Sequence, residues 1–218
     1  RRKSRSFPGE MAVNTTNPML AGLLFEETMR GHFSLGSQAP ERGERLGHAE
    51  GTELALHAKV QIDDMGAFLA DDRHHGRLGG VVDFAPLGLG LVILEGDFQL
   101  FSQGPGAGRQ MVYDAVLELD ERRLFLHGVK RVNDDPGPDL WRDTTTLYTT
   151  LHEGESATAD ILGAGILHLG VAELMAMLKT MTPTGQGDLR TVADFGRFFF
   201  GELWHLYAPW VIRREPEA

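Results

Sequence analysis

The chain contains no cysteine. This excludes disulfides, a thiol nucleophile and thiolate-ligated zinc or iron-sulfur sites, and it makes the reducing cytoplasm the expected location. Basic residues are in deficit, with 21 Lys and Arg against 31 Asp and Glu and a formal charge of -10. Such a balance opposes the phosphate attraction on which nucleic-acid binders rely, so nucleic acid is not an expected partner. Long apolar runs are missing as well. The longest, from Ala85 to Leu94, is interrupted by Gly88 and Gly90 and is too short to span a bilayer. No G-x-S-x-G elbow, H-E-x-x-H or Walker lysine motif occurs, which leaves the common hydrolase, zincin and nucleotide-triphosphatase routes without support. Gly104-Pro105-Gly106-Ala107-Gly108 superficially resembles a phosphate cradle, but it does not complete G-x-G-x-x-G and a strand pattern follows it. No cofactor is expected.

What is present reads as strand. With 218 residues, 42% of them hydrophobic, the chain can bury a core without staples. A single domain is expected over residues 19–210, preceded by a poorly ordered arm or appended remnant over residues 1–18 that opens on Arg1-Arg2-Lys3. The most informative stretch runs from Met111 to Leu151. Met111, Tyr113, Ala115, Leu117 and Leu119 alternate with Asp114 and Glu118, Asp120-Glu121-Arg122 turns the chain, and Leu124 to Val132 returns as a partner strand. A Pro/Gly/Asp loop from Asn133 to Pro138 then leads to a Thr-rich strand expected from Asp143 to Leu151.

Elsewhere, Phe25, Glu27, Met29, Gly31 and Phe33 share one face of a strand predicted over residues 20–35. Leu54, Leu56, Ala58, Val60 and Ile62 share one face of another. The Gly-rich, charged stretch Gly36 to Gly51 reads as a mobile loop. Asp63-Asp64 caps one or two helical turns, and strand resumes from Leu78 to Phe84. Val92, Leu94, Phe98 and Leu100 are expected on one face across Gly96. A last strand is expected from Ile161 to Leu169. Two helices follow, carrying Val171, Leu174, Leu178 and Met181, then Val192, Phe195, Phe199, Leu203 and Leu206, with a break from Pro183 to Asp188 and an end at Pro209. Glycines inside three strands, Gly31, Gly96 and Gly128, suit a sheet that coils sharply. The expected fold is mainly β: an antiparallel meander of about eight strands forming a barrel or strongly curved sheet, with two C-terminal helices. A two-sheet sandwich is the alternative.

Candidate chemistry is thin. Paired His74-His75 invites a metal, but adjacent side chains diverge on most backbones; the Asp63-Asp64, Asp71-Asp72 and Asp134-Asp135 pairs with Asp139 lack EF-hand spacing. No metal is expected. His127 and His168 lie on strands, where a carboxylate such as Asp114 or Asp143 would turn either into a general base. Tyr113, Phe125, Trp141, Tyr148 and Trp204 are the aromatic candidates for lining an apolar ligand pocket.

The segments FEETMRGHFSLG, DDMGAFLADDRHHGRLGG, LEGDFQLF, HGVKRVNDDPGPDLWRDTTTLYTTLHEG and FGRFFFGELWHLY together resemble a bacterial module attached to glucose-methanol-choline flavin oxidoreductases of the cholesterol-oxidase-like branch. The resemblance covers most of residues 20–207. It implies an accessory domain beside an oxidoreductase that acts on a sterol or other apolar substrate. The flavin fingerprint and catalytic His/Asn pair of that family belong to the other domain, so no catalytic residue carries over. Three expectations stand. The first is a non-catalytic domain binding a small apolar, sterol-like or lipid-like ligand. The second is a cofactor-free barrel enzyme, an isomerase or cyclase, using a His/carboxylate pair. The third is assembly through the aromatic segment Val192 to Trp210, with a homodimer or the oxidoreductase domain as partner.

Overall fold

The computed structural model describes residues 20–104, 108–132 and 145–211. The arm expected at residues 1–18, the Asp134-Asp135 and Asp139 carboxylates, Trp141 and Asp143 lie outside them, as do the side chains of Val171, Leu174, Met175 and residues 203–211, including Trp204.

Eight strands form a closed antiparallel meander: β1 (Ala21–Leu35), β2 (Glu53–Ile62), β3 (His75–Phe84), β4 (Gly88–Gln103), β5 (Arg109–Leu119), β6 (Arg122–Val132), β7 (Thr146–Glu153) and β8 (Ile161–His168). Each pairs with its successor, and β1 closes the ring by pairing with both β2 and β8. The row Leu24, Gln61, Arg77, Asp97, Asp114, His127, Thr150, Ala164 steps once round the barrel and returns to β1 at Ser34, a stagger of ten residues. That stagger tilts the strands by about 40° and leaves an interior that side chains, or side chains and one small ligand, can fill. The barrel expectation holds and the sandwich does not.

The alternation read from sequence becomes inside and outside. Leu23, Phe25, Met29 and Phe33 of β1, Leu54, Leu56, Ala58, Val60 and Ile62 of β2 and Leu124 and Leu126 of β6 are buried in one core. At Gly31 a Cβ would meet the Ile166 carbonyl oxygen, and at Gly96 that of Leu78, so these glycines allow neighbouring strands to press together. On β4 the expected face is corrected. Val92 is 51% exposed while Ile93 points inward, because a bulge between Ile93 and Glu95 switches the parity before Phe98 and Leu100. A second bulge, with Phe101 at φ 53°, turns Leu100 and Phe101 both into the core.

Four helices accompany the barrel among the described residues. Helix α1 (Pro40–Glu50) replaces the loop expected at Gly36 to Gly51. Glycine disfavours a helix, but Gly43 and Gly47, one turn apart, are the face that lies on the wall. A Cβ at Gly43 would meet the Ala164 carbonyl, and one at Gly47 the Phe33 backbone at 2.5 Å. Gly51 ends the helix in the left-handed conformation at φ 69°. Helix α2 (Met65–Ala70) is capped by Asp64, whose carboxylate accepts from the Gly66 and Ala67 amides. Helix α3 (Val171–Thr180) packs on β1. The expected break after it contains a ninth strand, β9 (Thr182–Gly185), which pairs with Ala21–Leu24, a part of β1 that β8 does not reach. Helix α4 (Leu189–Val211) continues through Pro209 rather than ending there.

Candidate functional site

Between its β9-paired start and its β8-paired end, β1 has a short seam. There the Glu26 amide bonds to the Thr180 hydroxyl of α3 instead of to a strand. Glu27, on the inward face of this stretch, is 5% exposed. From β5, four strands away in either direction round the ring, the Tyr113 hydroxyl donates to Glu27 Oε1 at 2.6 Å. Lys130 of β6 donates to the Tyr113 oxygen at 3.1 Å, and its Nζ lies 3.6 Å from Glu27 Oε2 and 4.9 Å from the Tyr113 ring centre. Tyr113 and Lys130 are each 2% exposed. Opposite walls are thus joined by a carboxylate, a phenol and an ammonium inside an apolar core.

Burial dominates the electrostatics of this group. It raises the Tyr113 phenol well above its ordinary 10.0, and the Glu27 charge and hydrogen bond push the same way. Burial also lowers the Lys130 ammonium from 10.5, while Glu27 works in the opposite sense. The assembly therefore balances one positive against one negative group, with a hydroxyl between them able to pass a proton either way.

Lys130 stands two residues, or about 7 Å, from Val132 at the end of β6. The barrel mouth at that end is covered by α4. Phe195 packs on Phe25 at 5.7 Å, Phe198 on Phe101 at 6.0 Å and Phe199 on Phe101 at 5.6 Å between ring centres. His74, at φ 49°, packs against Phe198 at 4.4 Å between ring centres and donates through Nδ1 to the Leu100 carbonyl at 3.0 Å. Burial lowers its pKa from 6.5. His75 turns the other way, to Asp71 at 2.8 Å. Among the described residues no group of three or more His, Asp or Glu side chains is arranged to hold a metal ion.

Of the residues singled out from sequence, Tyr113 is the one that lies in this interior group. Phe125 and Tyr148 are half-buried on the outer wall, where they meet His152 and Arg131 respectively. His127 is also on the outer wall, its Nδ1 2.6 Å from Asp114 Oδ1. His168, with a side chain 52% exposed, faces Glu44 of α1 at 3.4 Å. A surface cleft of about 270 Å³ beside it is lined by His32, Glu44, Arg45 and His48. Also on the outer wall, His57 links Thr28 at 3.0 Å to Asp83 at 3.3 Å, through Nδ1 and Nε2.

Sequence reasoning does not single out Glu27 and Lys130 as functional, although the signal is present. Each is a charged residue at an inward position of an otherwise apolar alternation, Glu27 between Phe25 and Met29, Lys130 between Gly128 and Val132.

Comparison with known protein families, curated proteins and solved structures finds no match for this chain.

Proposed function

We propose that this barrel is a non-catalytic binding domain for a mainly apolar small molecule, sterol-like or lipid-like in bulk, carrying one uncharged oxygen that Lys130 and Tyr113 receive. One observation carries the reading: a charged pair and a phenol are buried in a core otherwise lined by residues such as Phe25, Met29 and Phe98. Taking such ions from water costs several kcal/mol each, and apolar residues of the same volume would often hold a core equally well. They would not recognise a polar atom in a dry interior, as a few convergent polar groups among apolar side chains do. Because the pair is already balanced, a neutral head group fits it, whereas a carboxylate would add a second negative charge beside Glu27. Helix α4 supplies the cover, its Phe195, Phe198 and Phe199 reaching the mouth nearest Lys130. Work beside a flavin oxidoreductase is part of the proposal and rests on the sequence resemblance.

Thermal melts with dodecanol, cholesterol and dodecanoic acid test it. A neutral ligand at a hundred times its Kd adds about 2.7 kcal/mol, a rise of roughly 5–10 °C for a domain of this size. The shift is expected for the alcohols, smaller for the acid, and absent in Lys130→Met. A flat response to neutral ligands of all shapes would remove the reading.

Phe200, 58% exposed on α4, favours a second reading, the pairing of two copies through that helix. It requires a concentration-dependent dimer in sedimentation that Phe200→Ser abolishes without loss of fold. A wild type that stays monomeric excludes it.

A further inference from the structure

We propose that Lys130 captures the carbonyl group of an apolar aldehyde as a protonated imine, with Tyr113 and Glu27 carrying the protons. This rests on the binding reading above and specifies the head group. The geometry supplies the amine and the proton path an imine needs. The nucleophile is a primary amine, removed from water at 2% exposure and about 7 Å from the covered mouth. The proton carrier is the Tyr113 hydroxyl, 3.1 Å from Nζ and 2.6 Å from Glu27 Oε1, so a proton leaving the ammonium passes to Tyr113 as the Tyr113 proton passes to Glu27. Burial favours the resulting uncharged amine.

The free amine adds to the carbonyl carbon, and its surplus proton moves to the new alkoxide. Glu27 then returns its proton through Tyr113 to the carbinolamine hydroxyl, the C–O bond breaks, and water leaves. The balance is one ammonium and one aldehyde giving one iminium and one water, with no oxidant or reductant. One positive charge stands at Nζ before and after, opposed by the Glu27 carboxylate in both states, and between them both groups are uncharged. A reaction that conserves charge avoids the cost of creating an unbalanced ion in a dry interior. Hydrolysis by the reverse path releases the ligand.

The chain has four lysines, Lys3, Lys59, Lys130 and Lys179, so labelling is easily mapped. The folded protein is treated with trans-cinnamaldehyde and cyanoborohydride at neutral pH, and the site of reductive labelling is read by peptide mass spectrometry. Lys130 is expected to react first and on the order of tenfold faster than Lys59 or Lys179, although they are far more accessible. Tyr113→Phe, which keeps the amine and removes the relay, is expected to slow labelling about 100-fold. Its fold is checked by circular dichroism. Labelling confined to the exposed lysines, or an unchanged rate in a folded Tyr113→Phe protein, overturns the proposal. Cinnamyl alcohol separates this failure from that of the binding reading. If the alcohol raises the melting temperature while Lys130 stays unlabelled, binding stands and capture falls. If neither compound acts, both fall.

Discussion

Replacing Lys130 by Met would leave Glu27 facing Tyr113 with its buried counter-charge gone. At the observed 3.6 Å and an effective dielectric of about 20, the lost attraction is about 4–5 kcal/mol. Removing one member of a buried pair typically costs about 3–5 kcal/mol, because the remaining charge is uncompensated. A domain of this size loses roughly 2–4 °C per kcal/mol, so Lys130→Met should melt about 10 °C below wild type at pH 7. Glu27→Gln keeps an acceptor for Tyr113 but strands the ammonium, and should lose a similar amount. The double variant removes both charges and should recover most of the loss, leaving a cost of about 1 kcal/mol from imperfect polar pairing. Urea denaturation of the four proteins, followed by far-ultraviolet circular dichroism, gives the coupling energy. Single-variant losses that simply add, to within about 0.5 kcal/mol, would mean that the two groups do not meet inside the barrel.

Three further outcomes are expected. The Tyr113 phenol is held above 10.0 in the fold, so the stability it contributes is complete below that pH and is lost as pH rises above it; absorbance titration should show one of the three tyrosines ionising only as the protein unfolds, and Tyr113→Phe should abolish that step. Burial holds His74 below 6.5, so the unfolded chain binds its proton first and stability falls as pH drops through 6.5 towards the folded value; amide exchange in α4 should accelerate over that window in wild type and not in His74→Leu. Gly43→Ala would drive a methyl group into the Ala164 carbonyl, and chemical denaturation should show a loss of about 1–3 kcal/mol, whereas Gly36→Ala, with open space but φ 79°, should lose only about 1 kcal/mol from backbone strain.

The barrel is legible because a wall with one dry face writes itself as alternation, as β2 does from Leu54 to Ile62 and β5 does apart from Val112 and Val116. β4 misled at Val92 because a bulge is an extra residue that no periodicity announces. Helix α1 misled for the opposite reason. Glycine lowers helix propensity, yet here contact with the barrel needs two glycines a turn apart, and packing overrides propensity. The interior group was half legible. The alternation puts Tyr113 and Glu27 on inward faces, but nothing local places β1 opposite β5. That follows from closure after eight strands, which is a property of the whole ring.

Closure also has a consequence in time. The edge of β1 from Arg30 to Leu35 pairs with β8, the last strand of the ring to be made. During synthesis at about 5–20 residues per second, the β1–β2 hairpin waits on the order of ten seconds with that edge unpaired, and an unpaired edge invites a stranger's strand. Helix α1 is the next element after β1 and rests on it through Gly47 and Phe33. It can form long before residue 161 leaves the ribosome, but its Gly43 meets the Ala164 carbonyl only once β8 is in place, so the helix seats fully in the same step that closes the ring.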